Sequence, residues 1–159
     1  KLRGLLMRRA GLRWRAGSLG ESARDYEEAL ELAHEHGETA GEAAALASLS
    51  VVHRDLGDPR VALRCGRAAL RLLQDLDDPQ AEAYVLYSLA ESYASLGHHS
   101  SALSCLKRSL RLRRRIGDKD GEARILRDIA KVSGSPGNTD RTGKARTRPR
   151  RKRSAGRGS

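Results

Sequence analysis

Glycine recurs at Gly17, Gly57 and Gly97, each 40 residues after the last, and most of the chain keeps that register. Thirteen residues after each glycine stands a leucine (Leu30, Leu70, Leu110), and two further on another (Leu32, Leu72, Leu112). Gly37, Asp77 and Gly117 hold the same spacing, as do Glu42-Ala43, Glu82-Ala83 and Glu122-Ala123. Leu46, Leu86 and Leu126 follow, then Leu49, Leu89 and Ile129; even Cys65 and Cys105 are equivalent positions. A register kept without slip over so many positions marks a repeat architecture. A single repeat cannot bury its apolar stripe alone, so such units stack, each touching only its neighbours.

Each unit reads as two helices. Leu86, Leu89, Ala90 and Tyr93 fall at i, i+3, i+4 and i+7, an apolar stripe of helical period, and the stripe stops at Leu96-Gly97, a helix-terminating pair. Ala102, Leu103, Leu106 and Leu110 carry a second stripe that stops near Ile116-Gly117. The connections are short, so the two helices lie antiparallel. Pro59 and Pro79 stand near helix starts, where a missing N–H costs little. Leu and Ala dominate the apolar residues and Phe is absent, which suits close helix–helix packing. The expectation is an all-α solenoid of antiparallel helix pairs with about seven helices. Their spans should be roughly 2–15, 20–35, 40–55, 60–75, 80–95, 100–115 and 120–132. The units then fall near 1–37, 38–77 and 78–117, with a capping helix over 118–132. Its Arg124, Arg127, Asp128 and Lys131 should point outward, because a terminal repeat needs a polar face.

The formal charge of +11 is unevenly placed. Residues 133–159 hold nine Lys/Arg against the single Asp140, a surplus of eight, while residues 1–132 hold 22 basic and 19 acidic side chains. The body is therefore near balance, which argues against a basic-faced DNA-binding domain. The Gly/Ser/Thr/Arg-rich segment 133–159 cannot bury a core and is expected to be disordered. Its dense run of Arg148, Arg150, Arg151, Lys152 and Arg153 suits weak, salt-dependent contact with nucleic acid or another polyanion, or a nuclear address. It has no aromatic residue for base stacking.

Other chemistries find little support. There is no apolar run of membrane-spanning length, and Leu5-Leu6-Met7 runs straight into Arg8-Arg9 with no signal-peptide core. Two cysteines make no disulfide framework, so a cytoplasmic location is expected, or a nuclear one in a eukaryote. One repeat apart, they are too distant to bond. His34 and His36, at i and i+2, lie on different helix faces and cannot share a metal. His98 and His99 lie in a turn, and His53 reads as a satisfied near-core histidine. With no catalytic constellation, the expectation is a non-enzyme without metal or cofactor.

Leu86, Leu89, Ala90, Tyr93, Gly97, Ala102, Leu106 and Ser109 resemble the pattern of the tetratricopeptide repeat family, as do Leu46, Leu49, Ser50, His53, Gly57, Ala62, Gly66 and Ala69 in the preceding unit. The 40-residue period and the helix start Gly117-Asp118 with Glu122-Ala123 are similar to the longer variant found in G-protein-signalling modulator scaffolds and in C-terminal regions of bacterial antibiotic-regulatory-protein-type regulators. The resemblance implies a right-handed solenoid whose first helices line a concave groove that binds a partner peptide or domain. It places Ala44, Ala47, Ser48, Val51, Arg54, Tyr84, Tyr87, Ser88, Glu91, Arg124, Arg127 and Lys131 there. Ala47 and Val51 stand where the carboxylate clamp of chaperone-tail-binding members needs Lys and Asn, so that ligand is not expected. Two departures stand out: Arg9 and Arg13 occupy apolar positions of the first helix, which should then fray or pair with sequence upstream, and Gly66 replaces the large residue of the other units. Exposed apolar ends around Leu5, Leu6 and Leu12 suit end-to-end self-association.

Overall fold

The computed structural model describes residues 1–134 and places seven α-helices there: α1 Leu2–Arg15, α2 Leu19–Glu35, α3 Thr39–Asp55, α4 Pro59–Leu73, α5 Pro79–Ser95, α6 His99–Ile116 and α7 Lys119–Gly134. Each packs on the next in chain order, and α3 also touches α5 directly. The first helices of successive units (α1, α3, α5, α7) thus form one row and the second helices another. The candidate basic run at Arg148, Arg150, Arg151, Lys152 and Arg153 lies outside the described residues.

Helix ends follow the repeat. Gly17, Gly37, Gly57, Gly97 and Gly117 all have positive φ, a conformation glycine enters without steric cost. At these turns the residue after the glycine donates its N–H to the carbonyl five positions back, as in Glu38 to Ala33 and Asp118 to Arg113. This bond satisfies a carbonyl the helix end would leave orphaned. At helix starts, the Asp78 and Asp118 carboxylates accept from the N–H of Ala81 and Gly121, each at 2.9 Å.

The core runs as three small clusters between stacked helices. One gathers Ala10, Ala23, Tyr26, Leu49 and Val52, the next Ala43, Leu63, Ala69, Leu73, Val85 and Leu89, the last Ala90, Leu106, Leu110 and Ile125. Gly66 has its explanation here. A Cβ at this position would lie 2.7 Å from Leu89 Cδ2 and 3.0 Å from Ser50 Oγ. The room taken by Tyr26 and Leu106 in their units is filled at Gly66 from across the seam.

Helix α1 does not fray. Leu6 and Ala10 are buried, and Ser22 donates to the Ala10 carbonyl at 2.9 Å. Arg9 and Arg13 both grip Asp25, which is only 3% exposed. Arg9 Nε and Nη2 lie 2.8 and 2.7 Å from its carboxylate, and Arg13 Nη1 lies 2.7 Å away. Asp25 occupies the register position of Cys65 and Cys105, so a charged triad stands where the later units place Leu, His or Tyr, and Cys. The hydrogen bond from Arg9, then that from Arg13, hold the Asp25 carboxyl below its ordinary pKa against the opposing effect of burial. Leu6, expected on an exposed end with Leu5 and Leu12, faces inward with Ala10 at i+4; Leu2, Leu5 and Leu12 are exposed.

Candidate partner-binding surface

Polar side chains tie the first helices together at separations close to one repeat. Trp14 Nε1 on α1 donates to Asp55 on α3 at 2.8 Å. Arg54 on α3 holds Asp55 at 2.8 Å and also bonds Glu91 on α5. Tyr87 on α5 donates its hydroxyl to Asp128 on α7 at 2.9 Å. Burial, reinforced by the Asp128 acceptor, pushes the Tyr87 phenol up to about 12. Burial also raises Glu91, with Arg54 opposing it. Asp128, expected to point outward, therefore turns back onto α5. The reason is that Tyr87 offers a half-buried donor that a carboxylate satisfies.

On this face Ala47, Ser48 and Arg54 are half-exposed on α3, Tyr84 is exposed and Tyr87 and Glu91 half-exposed on α5, and Arg124, Arg127 and Lys131 are exposed on α7. Two expected groove residues are withdrawn. Val51 and Ser88 are buried, at 5% and 2% exposed. Ser88 hydroxyl shares a 3.2 Å hydrogen bond with Ser50 across the α3–α5 seam, so a position between helices has claimed it. Ser48 donates to the Ala44 carbonyl of its own helix at 3.0 Å.

The surface changes character by unit at fixed register. Positions 44, 84 and 124 read Ala, Tyr, Arg, and positions 47, 87 and 127 again read Ala, Tyr, Arg. Where Ala44 and Ala47 stand, the missing bulk leaves an apolar cavity of about 250 Å³, closed by Leu73, Leu76, Ala81 and Tyr84. One repeat on, Tyr87, Arg113, Asp118, Gly121 and Arg124 surround a polar cavity of about 230 Å³. The face is thus apolar in the middle and basic toward α7, where Lys131 pairs with Asp128 at 3.0 Å.

One tetratricopeptide repeat sequence model matches residues 2–75 and a second matches residues 83–115. The chain belongs to the tetratricopeptide repeat family. No curated protein matches it in sequence. Among solved structures it is similar to BtubC (BKLC) from P. vanneervenii, at 20% identity and a TM-score of 0.65, covering 98% of this chain and 69% of that one; the likeness is one of fold. Tetratricopeptide repeats generally mediate protein–protein interaction and scaffolding, and the family is typically non-catalytic.

Within this tetratricopeptide solenoid the other candidate groups stay apart. His34 pairs with Glu42 at 3.2 Å and His36 with the Leu32 carbonyl at 2.7 Å. No cluster of His, Cys, Asp or Glu fit for a metal occurs among the described residues, nor any helix long and apolar enough to cross a membrane. His53 is not the satisfied histidine expected, because its Nδ1 is buried without a hydrogen-bond partner. Cys65 and Cys105 are free thiols that burial pushes up in pKa, and a raised pKa makes them poor nucleophiles at neutral pH. Sequence reading missed the inter-repeat bonds of Trp14 and Asp128. Their separation of one repeat plus one residue, to Asp55 and Tyr87, was the available signal.

Proposed function

We propose that the row of first helices receives a peptide or domain of another protein, making this chain a non-catalytic interaction scaffold that forms part of a larger regulatory or signalling protein. The observation that carries the reading is the open apolar cavity beside exposed Tyr84, set in a face braced by bonds between units. Interface anchors are most often aromatic or Arg side chains in pockets, and Tyr84, Arg124 and Arg127 stand along this face. A braced surface loses little ordering entropy on binding, which favours affinity. The test is a pull-down of residues 1–134 beside a Tyr84→Ala, Arg124→Glu variant that keeps its helical circular dichroism. Loss of one specific protein from the variant supports the reading; equal recovery by both contradicts it.

A second reading concerns residues 133–159, whose surplus of eight positive charges suits a polyanion. Such binding would weaken steeply with salt. A chain cut after residue 134 should then lose DNA binding while keeping its helices, and a cut chain that binds DNA as well as the whole one rules this reading out.

A further inference from the structure

The turn between α4 and α5 departs from the repeat in shape and in charge, and it walls the apolar cavity. Helix α4 stops at Leu73, whereas α2 and α6 run to Glu35 and Ile116, register positions 75 and 76 of this unit. Five of the six turns among the described residues close with the bond from the residue after the left-handed position to the carbonyl five back. This one has only the Leu76 N–H on Leu73. Asp77 takes the left-handed place at φ 46° where Gly37 and Gly117 stand in the other units. Asp75, Asp77 and Asp78 are all exposed on a turn with no base. The nearest base in sequence, Arg71, makes no salt bridge with Asp75, and neither Asp75 nor Asp77 has an ion-pair partner among the described residues.

The early end of α4 places Leu76 beside Leu73 in the cavity wall, facing Ala44, Ala47 and Tyr84. At about 250 Å³ the space falls below the ~300–1,000 Å³ of sites for drug-sized molecules, so it suits one side chain. Asp78 lines this space and Asp75 and Asp77 flank the lining Leu76 in the same turn, and charge complementarity selects what can approach. Resting on the reading of this face as a partner-binding surface, we propose that the cavity takes an aliphatic side chain of a partner peptide whose neighbouring residues are Lys or Arg, set against Asp75, Asp77 and Asp78.

The probe is a random peptide library displayed on phage and selected on the full chain. Selection on Asp75→Lys, Asp77→Lys, and separately on Ala47→Leu, which fills the cavity, tests the assignment; Asp78 is kept because it caps α5. Helical circular dichroism and the melting temperature check that both variants fold. The wild-type chain should enrich an aliphatic residue next to Lys or Arg. The charge-reversed chain should bind those peptides about tenfold more weakly and enrich the same aliphatic residue beside Asp or Glu. Ala47→Leu should enrich neither. Wild-type peptides without basic neighbours, or flanks unchanged by the reversal, overturn the proposal. Peptides that bind Ala47→Leu undiminished leave the face as a binding surface but remove this pocket from it, while no enrichment on any chain sinks both readings. Several-fold tighter peptide binding after removal of residues 135–159 would make the chain's own basic segment the occupant and overturn the partner assignment.

Discussion

Asp25 occupies a position that the repeat fills in two ways. In the second and third units Leu49, His53 and Cys65, and Leu89, Tyr93 and Cys105, occupy the places that Arg9, Arg13 and Asp25 take in the first. Removing the carboxylate leaves the Arg9 guanidinium without its acceptor and Arg13 with Glu21 alone. Asp25→Ala should cost about 2–3 kcal/mol, read by urea denaturation. The triple exchange Arg9→Leu, Arg13→Tyr, Asp25→Cys, which restores the pattern of the third unit, should recover most of that loss. The Asp25 pKa is depressed in the fold, so its contribution is fully present above the ordinary carboxylate pKa of about 4 and is lost as pH falls through the depressed value. Asp25→Asn should therefore flatten the acid limb of the stability profile. Tyr87 works in the opposite sense: the fold favours its neutral form, so stability is intact below a phenol's ordinary pKa of about 10 and falls as pH rises toward about 12. Burial raises the Tyr84 phenol as well, so ultraviolet titration should show late tyrosine ionisation from which Tyr87→Phe removes the component near 12. The misfit of Arg9 and Arg13 was legible in the sequence, but their partner was not. Asp25 is an outlier only when compared with Cys65 and Cys105, and two cysteines give no hint of an ion pair.

At the scale of the element, helix placement was legible to within a residue or two, because the left-handed glycines set the ends and the stripe period sets the faces. Helix α4, expected to run to 75, stops two residues early at Leu73, and α7, expected to stop at 132, runs to Gly134. Sequence shows Asp77 in the glycine register, yet not that the last turn unwinds in response. A non-glycine residue held at positive φ costs on the order of 1 kcal/mol. Asp77→Gly should then raise stability by up to about 1 kcal/mol, a shift of a few degrees in Tm, seen by thermal melting. The Gly66 seam gives the opposite sign. Gly66→Leu, which copies Leu106, should destabilise by about 1–3 kcal/mol through overpacking, because Leu89 and Ser50 already occupy that volume.

Across the whole molecule, stacking turns three similar units into one surface with a chemical gradient. Ala, Tyr and Arg succeed one another at the same two positions along the first helices. The repeat made the fold and the general location of that surface legible. It could not show which positions are taken by packing: Val51 and Ser88 share a register pattern with exposed neighbours and differ only in what the adjacent helix claims. Nor could it show the cavity, which needs Leu73, Leu76 and Tyr84 set around Ala44 and Ala47. On the proposed function the row of first helices, rather than the row of second helices, meets a protein partner. The most direct measurement places a photo-cross-linking amino acid at position 84 on α5, or at position 107 on α6, and irradiates the chain in cell extract. A discrete adduct from position 84 that is absent from position 107 is the predicted result. Adducts of equal yield from both, or from position 107 alone, would contradict it.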